Sequence, residues 1–185
     1  MARLKGGDRS AFEALYARFA RPLMSYFYTL CFDRVAAEDL LQETFLRVWR
    51  ARQGWRPLAK VSTWIFQIAK NLWINEREKR LLRPFHTVRG GDEAAAVWER
   101  VEAPRAEASP DRSAAARETL LALRAAVEEL SDKLREVFVM ARYQGLPYAE
   151  IAAILEIPEG TVKSRMALAE QGLRERLRAH WEATR

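Results

Sequence analysis

A chain of 185 residues with 49% hydrophobic side chains has enough apolar surface to bury a core, which excludes a wholly disordered protein. Its single cysteine, Cys31, excludes an internal disulfide, and its apolar runs fall short of the roughly 20 residues needed to cross a bilayer. The net charge is +6, and it is unevenly spread: residues 1–83 hold 16 Lys and Arg against 8 Asp and Glu, while residues 118–185 hold 10 against 11. A phosphate-facing surface is therefore expected in the N-terminal part. No N-terminal apolar run resembles a signal peptide, so a cytoplasmic protein without membrane insertion is expected.

Leu, Ala, Arg and Glu dominate and strand-type alternation is nearly absent, so the expected fold class is all-α. Residues 8–31 read as the first helix, with Ser10 and Glu13 spaced as a capping box and Phe12, Leu15, Tyr16 and Phe19 at helical spacing. Pro22 is expected to kink or split it. Asp33 is placed to cap a second helix reaching about Arg52, with Leu41, Phe45 and Val48 inward. Gln53, Gly54 and Pro57 mark a loop. Ser62 is placed to cap a third helix ending near Leu82, whose apolar stripe is Ile65, Ile68, Ala69 and Leu72. Away from that stripe lie Lys70, Asn71, Asn75, Arg77, Lys79 and Arg80. Trp55, Trp64 and Trp73 lie in or near the same region, and Trp49 is the tryptophan most expected in the core.

Residues 84–117 contain Pro84, Gly90, Gly91, Pro104 and Pro110 with no sustained periodicity, and read as a flexible linker anchored at most through Trp98. The expected organisation is thus two helical domains, 1–83 and 118–185. In the second, Leu120, Leu123, Val127 and Leu130 make one helix. Ser131 is placed to cap the next, with Leu134, Val137, Phe138 and Ala141 inward and Gly145 as its C-terminal stop. Two further helices are expected at about 148–155 and 159–179.

That last pair has the pattern of a helix-turn-helix. Ala152 supplies the small residue that two steeply crossing helices need where their backbones meet. Ile151, Leu155, Ile157 and Val162 supply the apolar lock. The second helix then projects its first turns outward, where Lys163, Ser164 and Arg165 suit phosphate and base contacts. His86 and His180 are the only histidines and Cys31 has no evident partner. No Gly-rich phosphate loop or metal-ligand spacing occurs, so neither an enzyme nor a metal or other cofactor is expected.

The run Tyr148-Ala149-Glu150-Ile151-Ala152, followed by Pro158-Glu159-Gly160-Thr161-Val162-Lys163-Ser164-Arg165, resembles the second part of sigma region four of bacterial RNA polymerase sigma factors. Residues Ala37 to Trp49 resemble sigma region two where it grips polymerase, and Ser62 to Asn71 resemble the helix that melts and reads the minus-ten element. With no region-three domain between them, the chain resembles the extracytoplasmic-function (ECF) type. The resemblance implies a protein that binds core RNA polymerase and promoter DNA, with an anti-sigma factor as a further partner. It implies polymerase contacts at Asp39, Gln42 and Glu43. Minus-ten and melting contacts fall on Trp64, Lys70, Asn71, Asn75, Arg77 and Arg80, and minus-thirty-five contacts on Thr161, Lys163, Ser164 and Arg165. It also implies that the loop 53–61 helps to hold a flipped base. The alternative is a helix-turn-helix regulator that does not bind core polymerase.

The chain departs from the family's pattern in five places. Pro147 replaces a capping Ser, and Glu156 stands where a turn Gly is common, at a position that suits positive φ. Leu168 and Glu170 replace basic residues on the recognition helix. Gly172 lies inside that helix, at a cost of about 1 kcal/mol relative to Ala.

Overall fold

A computed structural model of the protein describes residues 1–57, 60–82 and 114–183, and among these every regular element is helical. A single turn, α1 (Ala2–Lys5), precedes α2 (Arg9–Cys31). The cap of α2 is Asp8, whose carboxylate accepts from the backbone N–H of Ser10 at 2.9 Å and of Ala11 at 3.2 Å. It also accepts from the Ser10 hydroxyl at 2.8 Å and from Arg3 at 2.7 Å. The expected Ser10–Glu13 capping box does not form, because a charged acceptor two residues earlier takes the orphan amides. Glu13 instead pairs with Arg9 at 3.3 Å on the exposed side of the helix. These bonds, from Ser10 first and then Arg3, hold the Asp8 carboxyl down at about 2.

Of the two outcomes expected at Pro22, a kink or a split, the split does not occur: α2 runs on through it. Leu23, Tyr26 and Phe27, in the turns that follow, are fully buried. Burial of that apolar surface outweighs one lost backbone bond. Phe32 ends the helix in the left-handed region at φ 52° and ψ 24°, its N–H donating to the Tyr28 carbonyl at 2.7 Å.

Asp33 caps α3 (Arg34–Ala51) as expected, accepting from Ala36 N–H at 3.2 Å. Leu41, Phe45 and Val48 face the core. Trp49 is only half-buried, between the edge of Phe12 at 5.3 Å and the Arg52 guanidinium at 4.1 Å. Among the described residues, the tryptophan in the core is Trp73, 4% exposed. A short 3-10 turn (Arg52–Gly54) leads towards α4 (Val61–Leu82). Ser62 lies inside α4 rather than capping it, and its hydroxyl donates to Glu150 at 3.4 Å. Ile65, Ala69 and Leu72 are buried and Ile68 packs against them, as the stripe requires.

The C-terminal half opens with α5 (Ala114–Glu128), so helix begins four residues earlier than the sequence pattern suggested. Trp98, His86 and most of the expected linker lie outside the described residues. Then follow α6 (Asp132–Arg142), α7 (Tyr148–Leu155) and α8 (Glu159–Ala183), the last running beyond its expected end at 179. Ser131 holds the N-cap position of α6 without a side-chain bond; its carbonyl accepts from Leu134 and Arg135, both at 2.9 Å. Gly145, at φ +62°, turns the chain out of α6.

The two halves pack directly on each other. Helix α2 lies against α6, and α4 lies against α7. The apolar cluster runs without a break from Phe19 and Tyr26 to Met140 and Ile151. Helix α6 is buried through four successive residues, Val137 to Met140, as a helix between two layers must be. Arg135 joins the halves at their helix ends. Its guanidinium donates to Leu30 at the end of α2 at 3.1 Å, and to Val127 at 3.1 Å and Leu130 at 2.8 Å around the end of α5.

Candidate polymerase and nucleic-acid interfaces

The helix-turn-helix is α7 and α8. Ile151, Ile154 and Val162 are fully buried at the crossing, with Met166 and Ala169 beneath. Ala152, Leu155 and Ile157 are half-buried and complete the contact. Ile154 went unnoticed in the sequence, although it lies three residues from Ile151 on the same face. Pro147 occupies the N-cap of α7 without a side-chain bond, and its carbonyl accepts from Glu150 at 2.9 Å and Ile151 at 3.0 Å. Glu156 ends α7 in the left-handed region at φ 57° and ψ 43°, as the comparison with a turn glycine suggested.

The first turns of α8 stand at the surface. Lys163 is exposed and paired with Glu159 at 2.9 Å, a hydrogen bond that raises the ammonium above the ordinary lysine value. Ser164 is exposed, its hydroxyl donating to the Thr161 carbonyl at 3.1 Å and leaving its lone pairs outward. Thr161 and Arg165 are half-exposed. Leu168 is 56% exposed, an apolar position on a helix otherwise rich in charge.

Helices α3 and α4 enclose an open groove. Ala36, Leu40 and Leu72 line it together with Asp39, Glu43 and Arg47 of α3 and Asn75, Glu76 and Lys79 of α4. Asp39 and Gln42 are exposed, and Glu43 is half-exposed and paired with Arg47 at 2.8 Å. The three sequence-derived acceptors therefore share one stretch of surface.

The polar residues of α4 divide among several environments instead of forming one outward face. Asn71 is exposed, and Asn75 is exposed at the α3 groove. Arg80 turns back to the α2–α3 junction, pairing with Glu76 at 3.2 Å and Asp33 at 3.4 Å. Trp64 is half-buried against the core. Lys70 and Arg77 face the C-terminal half. Lys70 is 6% exposed and lies 3.5 Å from Glu156, and Arg77 lies 3.7 Å from Asp132. Lys70, read from the sequence as lying away from the apolar stripe, is buried because α7 packs on α4.

Several residues of this joint went unnoticed in the sequence. Glu136 of α6 accepts from the buried Tyr26 hydroxyl at 2.9 Å. Burial pushes the Glu136 carboxyl above its ordinary value, opposed by the Tyr26 bond and by Arg77, Lys70 and Arg165. Burial, followed by the Glu136 charge, pushes the Tyr26 phenol well up. Gln67 donates to the Ala153 carbonyl at 3.0 Å, and Lys60 pairs with Glu150. The one available sign was the run Val137-Phe138-Val139-Met140, apolar on every side of its helix.

Comparison with known proteins places both halves. The family model described as Sigma-70 region 2 matches residues 15–81, and the one described as Sigma-70, region 4 matches residues 120–172. The first match covers the half in which a conventional regulator would carry a sensor or dimerisation domain. The ECF RNA polymerase sigma factor SigL of Mycobacterium tuberculosis is 34% identical over 178 residues, 94% of each chain. The ECF RNA polymerase sigma factor SigW of Bacillus subtilis is 29% identical over 176 residues, 95% of this chain and 93% of that one. The chain belongs to the ECF family of RNA polymerase sigma factors, and its function is in transcription initiation.

Solved structures share the fold. CnrH, in complex with the cytosolic domain of CnrY, superposes with a TM-score of 0.70 at 22% identity, over 96% of this chain and 94% of that one. The sigma factor RpoE, in complex with the anti-sigma factor NepR from Bartonella quintana, gives 0.67 at 22% identity, over 91% and 97%. Among the described residues no helix is long and apolar enough to cross a membrane, and no cluster of His, Cys, Asp and Glu has the makings of a metal site.

Proposed function

We propose the following division of labour. Residues 1–83 form the domain that grips core polymerase through Asp39, Gln42 and Glu43. That domain also recognises and melts the minus-ten element through Trp64, Lys70, Asn71, Asn75, Arg77 and Arg80. Residues 118–185 form the domain that reads the minus-thirty-five element through Thr161, Lys163, Ser164 and Arg165, and 84–117 tether the two. The observation that carries this reading is the pairing of two surfaces: a groove lined by Asp39 and Glu43 with Gln42 exposed on the same helix, and a helix-turn-helix with Lys163 and Ser164 exposed.

Acceptors on a helix face suit the cationic side chains of a partner protein, and cations at a helix start suit phosphate and guanine. Melted bases need stacking platforms and backbone cations, for which α4 has Trp64, Lys70 and Arg77. The protein works in the cytoplasm and is not an enzyme; nucleotide polymerisation belongs to its partner. An anti-sigma factor is its natural inhibitor, as NepR is the named partner of RpoE.

The test is charge reversal. Asp39→Lys with Glu43→Lys abolishes transcription from a cognate promoter and capture of core polymerase, while circular dichroism and binding of minus-thirty-five duplex stay as in the parent. Initiation that survives the double reversal would refute the polymerase-binding assignment.

A further inference from the structure

The outward side of α8 is uncharged along its centre. With about 3.6 residues per turn, Val162, Met166, Ala169 and Leu173 mark the side turned to the core, and all are buried. Gly160, Ser164, Ala167, Leu168 and Gln171 make the opposite side, and all are exposed. Lys163 and Arg165 stand on its two shoulders, about a quarter turn from the centre line. Lys163 pairs with Glu159 at 2.9 Å. Arg165 is half-exposed and close enough to Glu136 of α6 for its charge to act on that carboxyl.

Within this stripe the residues at 160, 164 and 167 are small, so the helix backbone can enter a groove deeply. Leu168 is large, branched and apolar, yet it is 56% exposed. The other exposed large apolar side chains among the described residues are Tyr16, Val35, Leu46, Leu121 and Trp181, and they lie outside the first three turns of α8. A major groove about 12 Å wide admits such a helix, and the apolar group that it displays is the C5 methyl of thymine. Cytosine and guanine present a donor or acceptors there instead. A leucine would strip water from those groups and return no hydrogen bond, so it selects against them as well as for the methyl.

We propose that Leu168 is a specificity-determining residue that packs on a thymine methyl of the minus-thirty-five element, while Lys163 and Arg165 hold phosphates on either side. This rests on the assignment of α8 to that element made above. It moves base reading from the cations to the neutral stripe between them, where Ser164 lies one turn before Leu168.

The full chain bound to core polymerase tests this. Duplexes with a randomised window are selected for binding, and the enriched sequence is remade with deoxyuridine in place of each thymine in turn. Each exchange removes one methyl group and keeps the base pairing. One position is expected to weaken binding by the parent about fourfold, the effect of exposing one methyl group. Leu168→Ala keeps the fold, since the position is exposed and alanine favours helix. It is expected to bind the thymine duplex about fourfold more weakly than the parent and to be indifferent to that deoxyuridine. Lys163→Ala is expected to weaken binding of the thymine and deoxyuridine duplexes equally, with a flatter salt dependence.

Selection that enriches no thymine, a parent that tolerates every deoxyuridine, or a Leu168→Ala chain that keeps the parent's penalty each overturns the proposal. A Lys163→Ala loss that depends on the methyl group overturns the division between stripe and shoulders. In all of these the assignment of α8 to DNA stands if Lys163→Ala weakens binding. If Lys163→Ala is silent as well, that assignment falls too.

Discussion

Helices α4 and α8 are both assigned to promoter DNA, yet the fold leaves them in opposite states. On α8, Lys163 and Ser164 stand in solvent, bonded to neighbours one turn away. On α4, Lys70 and Arg77 are engaged by acids of the other half of the chain. Local partners leave a surface available, because a phosphate displaces a solvated carboxylate at little cost. Long-range partners tie availability to the arrangement of the whole molecule. The two helices therefore differ less in chemistry than in when that chemistry is accessible.

The largest expected effect breaks this comparison at the exposed end. Lys163→Ala with Arg165→Ala is expected to weaken binding of the full chain to a minus-thirty-five duplex by roughly tenfold to a hundredfold. The same change should leave affinity for single-stranded DNA within about twofold, since the proposed single-strand contacts lie on α4. Fluorescence anisotropy with the two probes measures both. An equal loss on both probes would mean that α4 and α8 do not act separately.

At the covered end, Tyr26→Phe removes the donor that satisfies Glu136. Glu136 is part-buried, so leaving it unpaired is expected to cost about 1 kcal/mol, readable as a lower urea midpoint. Full retention of stability would show that the Tyr26–Glu136 bond contributes nothing.

A smaller effect comes with pH. Glu136 faces Tyr26 from α2, Lys70 and Arg77 from α4 and Arg165 from α8, and its folded value is raised by burial. Between its ordinary value and that raised value the folded chain holds more protons than the unfolded one, so stability increases as pH falls through this window. The gain is complete below the ordinary glutamate value. Asp8 acts in the opposite sense: depressed to about 2, its contribution is present above its ordinary value and is lost as pH falls towards 2. Urea midpoints measured from neutral to acidic pH are expected to rise and then fall, and Glu136→Gln should remove the rise.

A last expectation, with no bearing on DNA affinity, concerns Cys31, whose thiol is pushed up to about 11 by burial. Little thiolate exists at pH 8, so iodoacetamide should react about a hundredfold more slowly than with a free cysteine. The rate should recover if the region around the end of α2 opens.

Much of the fold was legible because its signals are local. The bounds of α7, Tyr148–Leu155, and the start of α8 at Glu159 follow from an apolar period interrupted by Ile157-Pro158. Asp33 was readable as a cap, because capping involves residues two or three apart. Capping signals misled twice. Ser10 and Glu13 matched a capping box, but Asp8 was the better acceptor, and Ser62 lies inside α4 instead of capping it. Pro22 was expected to kink or split α2, and the helix runs unbroken through it. Which face of α4 is covered was not legible at all. Tyr26 and Glu136 lie 110 residues apart, and Lys60 and Glu150 lie 90 apart. No spacing rule reaches that far, so Lys70 read as one more outward cation.

Arg135 has a practical consequence for anyone hoping to rewire promoter choice by exchanging halves between relatives. One guanidinium seats on carbonyls at the ends of both α2 and α5. A grafted N-terminal half must bring its own helix end to the place where Leu30 presents its carbonyl, or the guanidinium keeps only its bonds within the C-terminal half and its tie across the joint is lost. Successful chimaeras should therefore be chosen by matching that helix end, ahead of overall similarity.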